Sequence, residues 1–300
     1  MSLTLDELDS HLYGCADKIR NAADKTDYKD FILPLVFYNT ISDTYQDEVE
    51  KWTEELGSED LARYPHLHDI VVPEEYTWGH LRGLNTQETN YDEFINEALN
   101  EIEKANAGED SGVDTDDAGE KLEGVFRADY VSEDALDNGR LSKLVEHLST
   151  YNLSAKRVPP DMLGEAYMDL VRDFAEEEGK EGGEFFTPPK IVRLMVRLLA
   201  PFEDGDRFHD PTVGSGGMLV EAAHHFRDEQ DGDPSRLELT GQELNPDIAA
   251  IAKMNLYIHG YNGAVEREDS LGAPAFTDNG HLEQFDYVLA NFPFSADWPK

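Results

Sequence analysis

The sequence predicts an α/β protein in two parts, a helical domain over residues 1–155 followed by a mostly parallel sheet with its helices over residues 156–300. Three observations carry this expectation. Apolar residues near the N-terminus recur at three- and four-residue steps, the stripe of amphipathic helices. From about residue 160, short strand-like and longer helix-like segments alternate, the pattern of a parallel sheet with helices on both faces. Within the first part, residues 104–120 are almost purely Asp, Glu, Gly, Ser, Ala and Thr, which marks a solvated loop.

Leu5, Leu8, Leu12, Cys15, Ala16 and Ile19 form the buried stripe expected of the first helix. A second helix starts near Asp27, a suitable N-cap, and carries Phe31, Ile32, Leu35, Val36, Tyr38, Ile41 and Tyr45. Pro34 inside it predicts a kink or a break. Residues 71–78 look like a short extended piece feeding a further helix, with Trp78 in the core. Residues 162–177 read as a helix ended by Gly179. Residues 188–199 read as another, with proline in its first turn and Pro201 beyond its end. Its apolar stripe Ile191, Leu194 and Leu198 is expected to pack. Lys190, Arg193 and Arg197 then either flank that stripe or form a basic island facing DNA or a partner. Strands are expected at 207–210, 237–241, 264–266 and 287–290, with helices at 216–228 and 246–260 between the first three.

The formal charge of −39, from 64 acidic and 25 basic residues, argues against a surface that neutralises phosphates. A salt-in halophile reconciles that charge with a nucleic-acid partner, because the Debye length is about 3 Å at 1 M salt and self-repulsion is screened. Disorder throughout is rejected, since 39% hydrophobic and 10% aromatic residues can build cores. A lone cysteine, Cys15, excludes an internal disulfide and suits a reducing cytoplasm. No apolar run is long enough to span a bilayer, so a cytoplasmic protein without membrane association is expected. His66 with His68, and His224 with His225, lack a Cys or acidic set at ligand spacing, so no metal is expected.

The chemistry concentrates after residue 183. Asp210-Pro-Thr-Val-Gly214-Ser215-Gly216-Gly217 follows a strand and opens a helix, where glycines let a ligand approach the backbone. The next strand ends at Glu243, the position from which a carboxylate commonly holds a ribose diol. The third ends near Asp269, which is offered to an adenine amino group. The fourth runs into Asn291-Phe292-Pro293-Phe294. The exocyclic nitrogen of adenine is a poor nucleophile because its lone pair is delocalised into the ring. Accepting its two hydrogens, through the Asn291 side-chain oxygen and the carbonyl of residue 292, drives it towards a tetrahedral amine. Phe294 supplies a face on which an extruded base stacks.

These motifs, with Gly183-Glu184-Phe185-Phe186-Thr187-Pro188 upstream, resemble the modification subunit of type I restriction–modification systems, a family of N6-adenine DNA methyltransferases. The likeness extends to Ala16–Arg20, Val72–Glu75, Trp78, Asp161–Tyr167 and Phe174-Ala175. It implies a Rossmann-like domain dependent on S-adenosylmethionine. Glu184, Phe185, Phe186, Thr187 and Pro188 would close over the methionine end of the cofactor. Asp210, Gly214, Ser215 and Gly216 would cradle it, Glu243 would hold the ribose and Asp269 the adenine. Asn291, Phe292, Pro293 and Phe294 would form the catalytic motif. The resemblance further implies DNA, a specificity subunit, a restriction subunit and a second modification subunit as partners.

Two departures from the family pattern stand out. Phe292 occupies the place of a usual proline, although its carbonyl survives the change and Pro293 still favours an extended residue 292. Six residues follow Phe294, whereas the family pattern continues, so the sheet is expected to be incomplete at its C-terminal side. Two other readings follow: a truncated, non-catalytic cofactor-binding or assembly remnant, or an N-methyltransferase acting on RNA or a protein amide.

Overall fold

The computed structural model describes residues 3–19, 28–85, 89–107, 122–131, 136–177 and 187–292. Its contacts divide the chain into two units, Met1–Glu178 and Gly179–Lys300.

In the first unit, α1 (Leu5–Ile19) buries Leu8, Leu12, Cys15, Ala16 and Ile19 of the stripe expected from the spacing, with Leu5 at its start only half-buried. Helix α2 (Tyr28–Leu56) runs through Pro34 without a break. The missing N–H costs its bond near the helix start, at the carbonyl of Asp30, and an interior proline costs about 3 kcal/mol. Burial of Phe31, Ile32, Leu33, Leu35, Val36, Phe37 and Tyr38 around it offsets that cost. Asp27, the expected cap, lies outside the described residues.

Short α3 (Glu59–Ala62) follows, then a 3-10 turn at Pro65–Leu67, and a second 3-10 turn, Glu74–Tyr76, stands where an extended piece was expected. Thr77 caps α4 (Trp78–Gly83), accepting the His80 N–H at 3.3 Å, and Trp78 is buried. Helix α5 (Tyr91–Asn106) takes in the first residues of the expected acidic loop. Asn106 is buried and binds both the N–H and the carbonyl of Val71 at 2.8 Å. The loop from residue 108 to its expected end at 120 lies outside the described residues.

Helices α6 (Asn138–Leu148) and α7 (Pro160–Glu177) complete this unit. The sequence assigns 160–177 to the sheet domain, but α7 packs against α1 and α2 and belongs by contact to the first unit. His68 has a structural place: its ring lies 2.8 Å from Glu48 and 2.7 Å from the Ala62 carbonyl.

The second unit opens with α8 (Pro189–Leu199) and then alternates β1 (Arg207–Asp210), α9 (Gly217–Gln230), β2 (Glu238–Gln242), α10 (Pro246–Ile258) and β3 (Ala264–Glu266). A hairpin, β4 (Thr277–Asp278) and β5 (His281–Leu282), precedes β6 (Tyr287–Val288). The main sheet has the order β3-β2-β1-β6, with every pairing parallel.

Register settles which side each residue faces. Phe208, Leu239 and Val265 share one face with a core formed by Val192 and Val196 of α8, Leu219 and Phe226 of α9, and Ala252 and Leu256 of α10. The described helices of this unit therefore serve a single face, not both. In register on the opposite face stand His209, Thr240, Ala264 and Val288. The chain between β3 and β6 runs over it as a strap. Phe285 stacks on His209 at 4.2 Å, Phe276 meets the same ring edge-on at 5.1 Å, and the Arg207 guanidinium lies 4.7 Å from the Phe285 centroid.

The sequence reading of α8 is corrected. Ile191, Leu194 and Leu198 are exposed, Leu198 by 75%, while Val192 and Val196 are buried with Met195 and Leu199 against them. Residues 192, 195, 196 and 199 form the i, i+3, i+4, i+7 set that faces α9. Arg193 and Arg197 reach Glu221 and Glu229 of α9 at 3.3 and 2.7 Å.

Candidate active site

Because the strands are parallel, their C-terminal ends lie along one edge. Asp210, Glu243, residues 266–269 and Asn291 are all delivered there. The chain turns after β1 with Gly214 at φ 54° and Gly216 at φ 83°, left-handed values that suit glycine. Gly216 is the N-cap of α9. The turn packs closely on β2: a Cβ on Gly241 would stand 2.7 Å from a Val213 methyl. Val213 N–H donates to the Gln242 carbonyl at 3.0 Å, and the buried Asn255 amide donates to the Ser215 carbonyl at 2.8 Å.

Glu243 is tied into this turn from the end of β2. One of its oxygens accepts the Gly214 N–H at 3.2 Å, and the other accepts the Asn245 N–H at 2.9 Å. Its own N–H donates to the Glu266 carbonyl at 2.9 Å, linking it to the β3 end. Two donors leave carboxylate lone pairs for further hydrogen bonds. Asp210 is 1% exposed and accepts the Thr212 N–H at 3.0 Å. Burial pushes its carboxyl up to about 7, the neighbouring Glu243 charge adds to the rise, and the Thr212 hydrogen bond opposes it.

Asp269 begins the loop after β3. Its side chain accepts the Leu271 N–H at 3.0 Å, and its carbonyl accepts the Ala273 N–H at 2.7 Å. Ser270 ties this loop to the glycine turn by donating to the Pro211 carbonyl at 2.5 Å.

The fourth strand brings in the second half of the site. Leu289 N–H donates to the His209 carbonyl at 3.0 Å and holds the chain beside β1 just past the end of β6. Asn291 then donates from Nδ2 to the Thr187 hydroxyl at 2.9 Å. That bond turns Oδ1, the acceptor end of the amide, away from Thr187. Thr187 immediately precedes Pro188, the N-cap residue of α8. Two motifs about a hundred residues apart in the chain thus meet at one hydrogen bond. Phe292 is exposed. Glu184, Phe185, Phe186, Pro293 and Phe294 lie outside the described residues.

Sequence reasoning missed Gln242, Ser270 and Asn255, whose side chains hold loops together and carry no motif of their own. It also missed the hairpin, although Asn279-Gly280 was a readable signal. Both residues have positive φ, 50° and 80°, as a two-residue hairpin turn requires. Among the described residues no group of three or more His, Cys, Asp or Glu side chains could hold a metal ion, and no helix is long and apolar enough to cross a membrane.

Residues 158–300 match the family model described as N-6 DNA Methylase, and residues 8–148 match the HsdM N-terminal domain. The MjaVII methylase subunit of a type I restriction enzyme from Methanocaldococcus jannaschii is 32% identical over 98% of this chain and 48% of its own length. The MjaIX methylase subunit from the same organism is 29% identical over 97% of this chain and 52% of its own. The chain spans about half the length of these curated relatives. Among solved structures, the methyltransferase subunit of a type I restriction–modification system from Streptococcus thermophilus superposes with a TM-score of 0.78 at 26% identity, covering 99% of this chain and 65% of that one. With both family models matched in order along the chain, and a fold shared with a solved methyltransferase subunit, the chain belongs to the family of type I restriction–modification methylase subunits.

Proposed function

We propose that this chain binds S-adenosylmethionine and acts, within a type I modification complex, in methyl transfer to the N6 amino group of adenine in DNA. The observation that carries the reading is the convergence on one sheet edge of Glu243, hydrogen-bonded into the glycine turn, and Asn291, oriented by Thr187. The cofactor supplies a methyl group on a sulfonium, activated for nucleophilic attack.

The residues present fit such a ligand. Glu243 is pre-oriented by two backbone N–H groups and retains acceptor capacity for a ribose diol. Gly214 and Gly216 open the turn to close approach, with Asp210 and Ser215 beside them. Asp269, fixed by its own turn, offers an acceptor to the adenine amino group. On the acceptor side, the Asn291 oxygen and the carbonyl of Phe292 take the two hydrogens of the target amine and concentrate its lone pair. Thr187 holds the Asn291 amide in the orientation this needs. By the family resemblance, Glu184, Phe185, Phe186, Thr187 and Pro188 would close over the methionine end, and Pro293 and Phe294 would complete the motif that receives the extruded base.

The same reading makes DNA the substrate, with sequence choice delegated to a specificity subunit. It adds a restriction subunit and a second modification subunit as partners, and the cytoplasm as the compartment. Glu243→Ala is expected to weaken cofactor binding by about 1.5–3 kcal/mol, the worth of hydrogen bonds to a charged group. Calorimetry in multimolar potassium chloride measures this, and an unchanged affinity would remove Glu243 from the site. Asn291→Ala is expected to abolish transfer of tritiated methyl groups to adenine in the complex with a specificity subunit. Retained transfer would show that Asn291 is not the residue activating the amine.

A further inference from the structure

Beside Glu243 stands Gln242, whose side chain faces the other way, beneath the strap that follows β3. It is 2% exposed, so it cannot itself touch a ligand. Both ends of its amide are used on that strap. Nε2 donates to the Ala273 carbonyl at 3.3 Å, and Oε1 accepts the Ala275 N–H at 3.1 Å. Pro274 between them has no N–H, so the two contacts are those its flanking residues can make.

The same segment is bonded to Asp269 from its other side. Ala273 N–H donates to the Asp269 carbonyl, and Leu271 N–H donates to its side chain. The turn closes so tightly that a Cβ on Gly272 would fall 2.8 Å from Asp269 Oδ2. Ala273 is therefore held by Asp269 through its N–H and by Gln242 through its carbonyl.

We propose that Gln242 is a positioning residue for adenine recognition: its buried amide clamps the 273–275 segment and so fixes the turn that aims the Asp269 carboxylate. The inference rests on the cofactor reading above and extends it to what selects the base of the cofactor. Glutamine suits the place because the clamp needs one donor and one acceptor. Methionine supplies neither, and an ionised glutamate supplies acceptors alone.

The test compares S-adenosylhomocysteine with S-inosylhomocysteine, which carries a carbonyl in place of the 6-amino group. Affinities are measured by calorimetry on the whole chain in multimolar potassium chloride, with a thermal melt of each variant. The native chain is expected to prefer the adenosyl ligand by about tenfold or more, as loss of a hydrogen bond to a carboxylate implies. In Gln242→Met that preference is expected to collapse to within about threefold, chiefly through weaker adenosyl binding. A merely structural role for Gln242 would weaken both ligands by the same factor, and an unchanged ratio overturns the proposal. If Gln242→Met does not fold, Gln242→Glu decides. Burial favours its protonated form, which could still donate, so it is measured at alkaline pH. There the ionised carboxylate keeps an acceptor for Ala275 and loses the donor to Ala273. A ratio reduced relative to the native chain at the same pH is expected, and an intact one overturns the proposal. Failure of the native chain to bind either ligand would instead overturn the cofactor reading itself.

Discussion

At Asp210, burial and the nearby Glu243 charge hold the carboxyl at about 7, far above its value in an unfolded chain. Between the ordinary carboxylate range, near 4, and about 7, the folded chain keeps a proton that the unfolded chain has lost. Stability from this group therefore falls as pH rises through that window. Asp210→Asn keeps an oxygen for the Thr212 N–H and removes the ionisation. The variant is expected to melt progressively higher than the native chain as pH goes from 4 to 8, a gain on the order of a few kcal/mol at the alkaline end. A difference that does not vary with pH would show that Asp210 ionises freely. His209 acts at the other end of the scale. Burial first, and then the Arg207 charge, hold its imidazole down at about 4, although its bond to Thr240 opposes this. It stays neutral in the sheet, and stability is lost as pH falls from about 6.5 towards 4. Asp210 and Glu243 were legible because each ends a strand beside a glycine turn or another acid. Gln242 was not legible, because its partners are backbone atoms thirty residues on, and no spacing rule points to them.

Helix α8 shows what an element's sequence can hide. Two apolar stripes run along it, at 191/194/198 and at 192/195/196/199, and periodicity alone gives them equal standing. Packing against α9 buries the second stripe. Val196→Ala is accordingly expected to lower stability by about 1–3 kcal/mol through a cavity in the sheet-side core, whereas Leu198→Gln is expected to stay within about 0.5 kcal/mol. Denaturant unfolding of both variants checks this, and the reverse ranking would restore the first stripe to the core. The strands, and the helices between them, were legible at their expected positions because composition punctuates them with Gly, Pro and Asn. Sidedness was not. A four-residue strand alternates too briefly to say which face meets a helix, and the strap that covers the second face through Phe276 and Phe285 has no period at all. Pro34 is the converse case: a strong local rule yields to a densely apolar surrounding.

For the molecule as a whole, the charge of −39 sets the terms. Ion pairs such as Arg197–Glu229 and Arg236–Asp204 sit at the surface, where each contributes about 0–1 kcal/mol, and 25 basic residues cannot match 64 acidic ones. Self-repulsion therefore grows as screening is withdrawn. We propose that stability depends on salt, and a thermal melt across potassium chloride concentrations should show the midpoint falling steeply towards low salt. A flat profile would sink the halophile reading. A different consequence follows from the strand order. The glycine turn and Glu243 are built from β1 and β2, while Asn291 arrives on β6, and among the described strands β6 pairs with β1 alone. The two halves of the site thus share one strand, through links such as the Leu289 N–H to the His209 carbonyl. On the proposed reading, the spacing between the two halves is therefore set by the register in which β6 meets the backbone of β1, and a slip of that register would move Asn291 relative to Glu243 while leaving each strand intact.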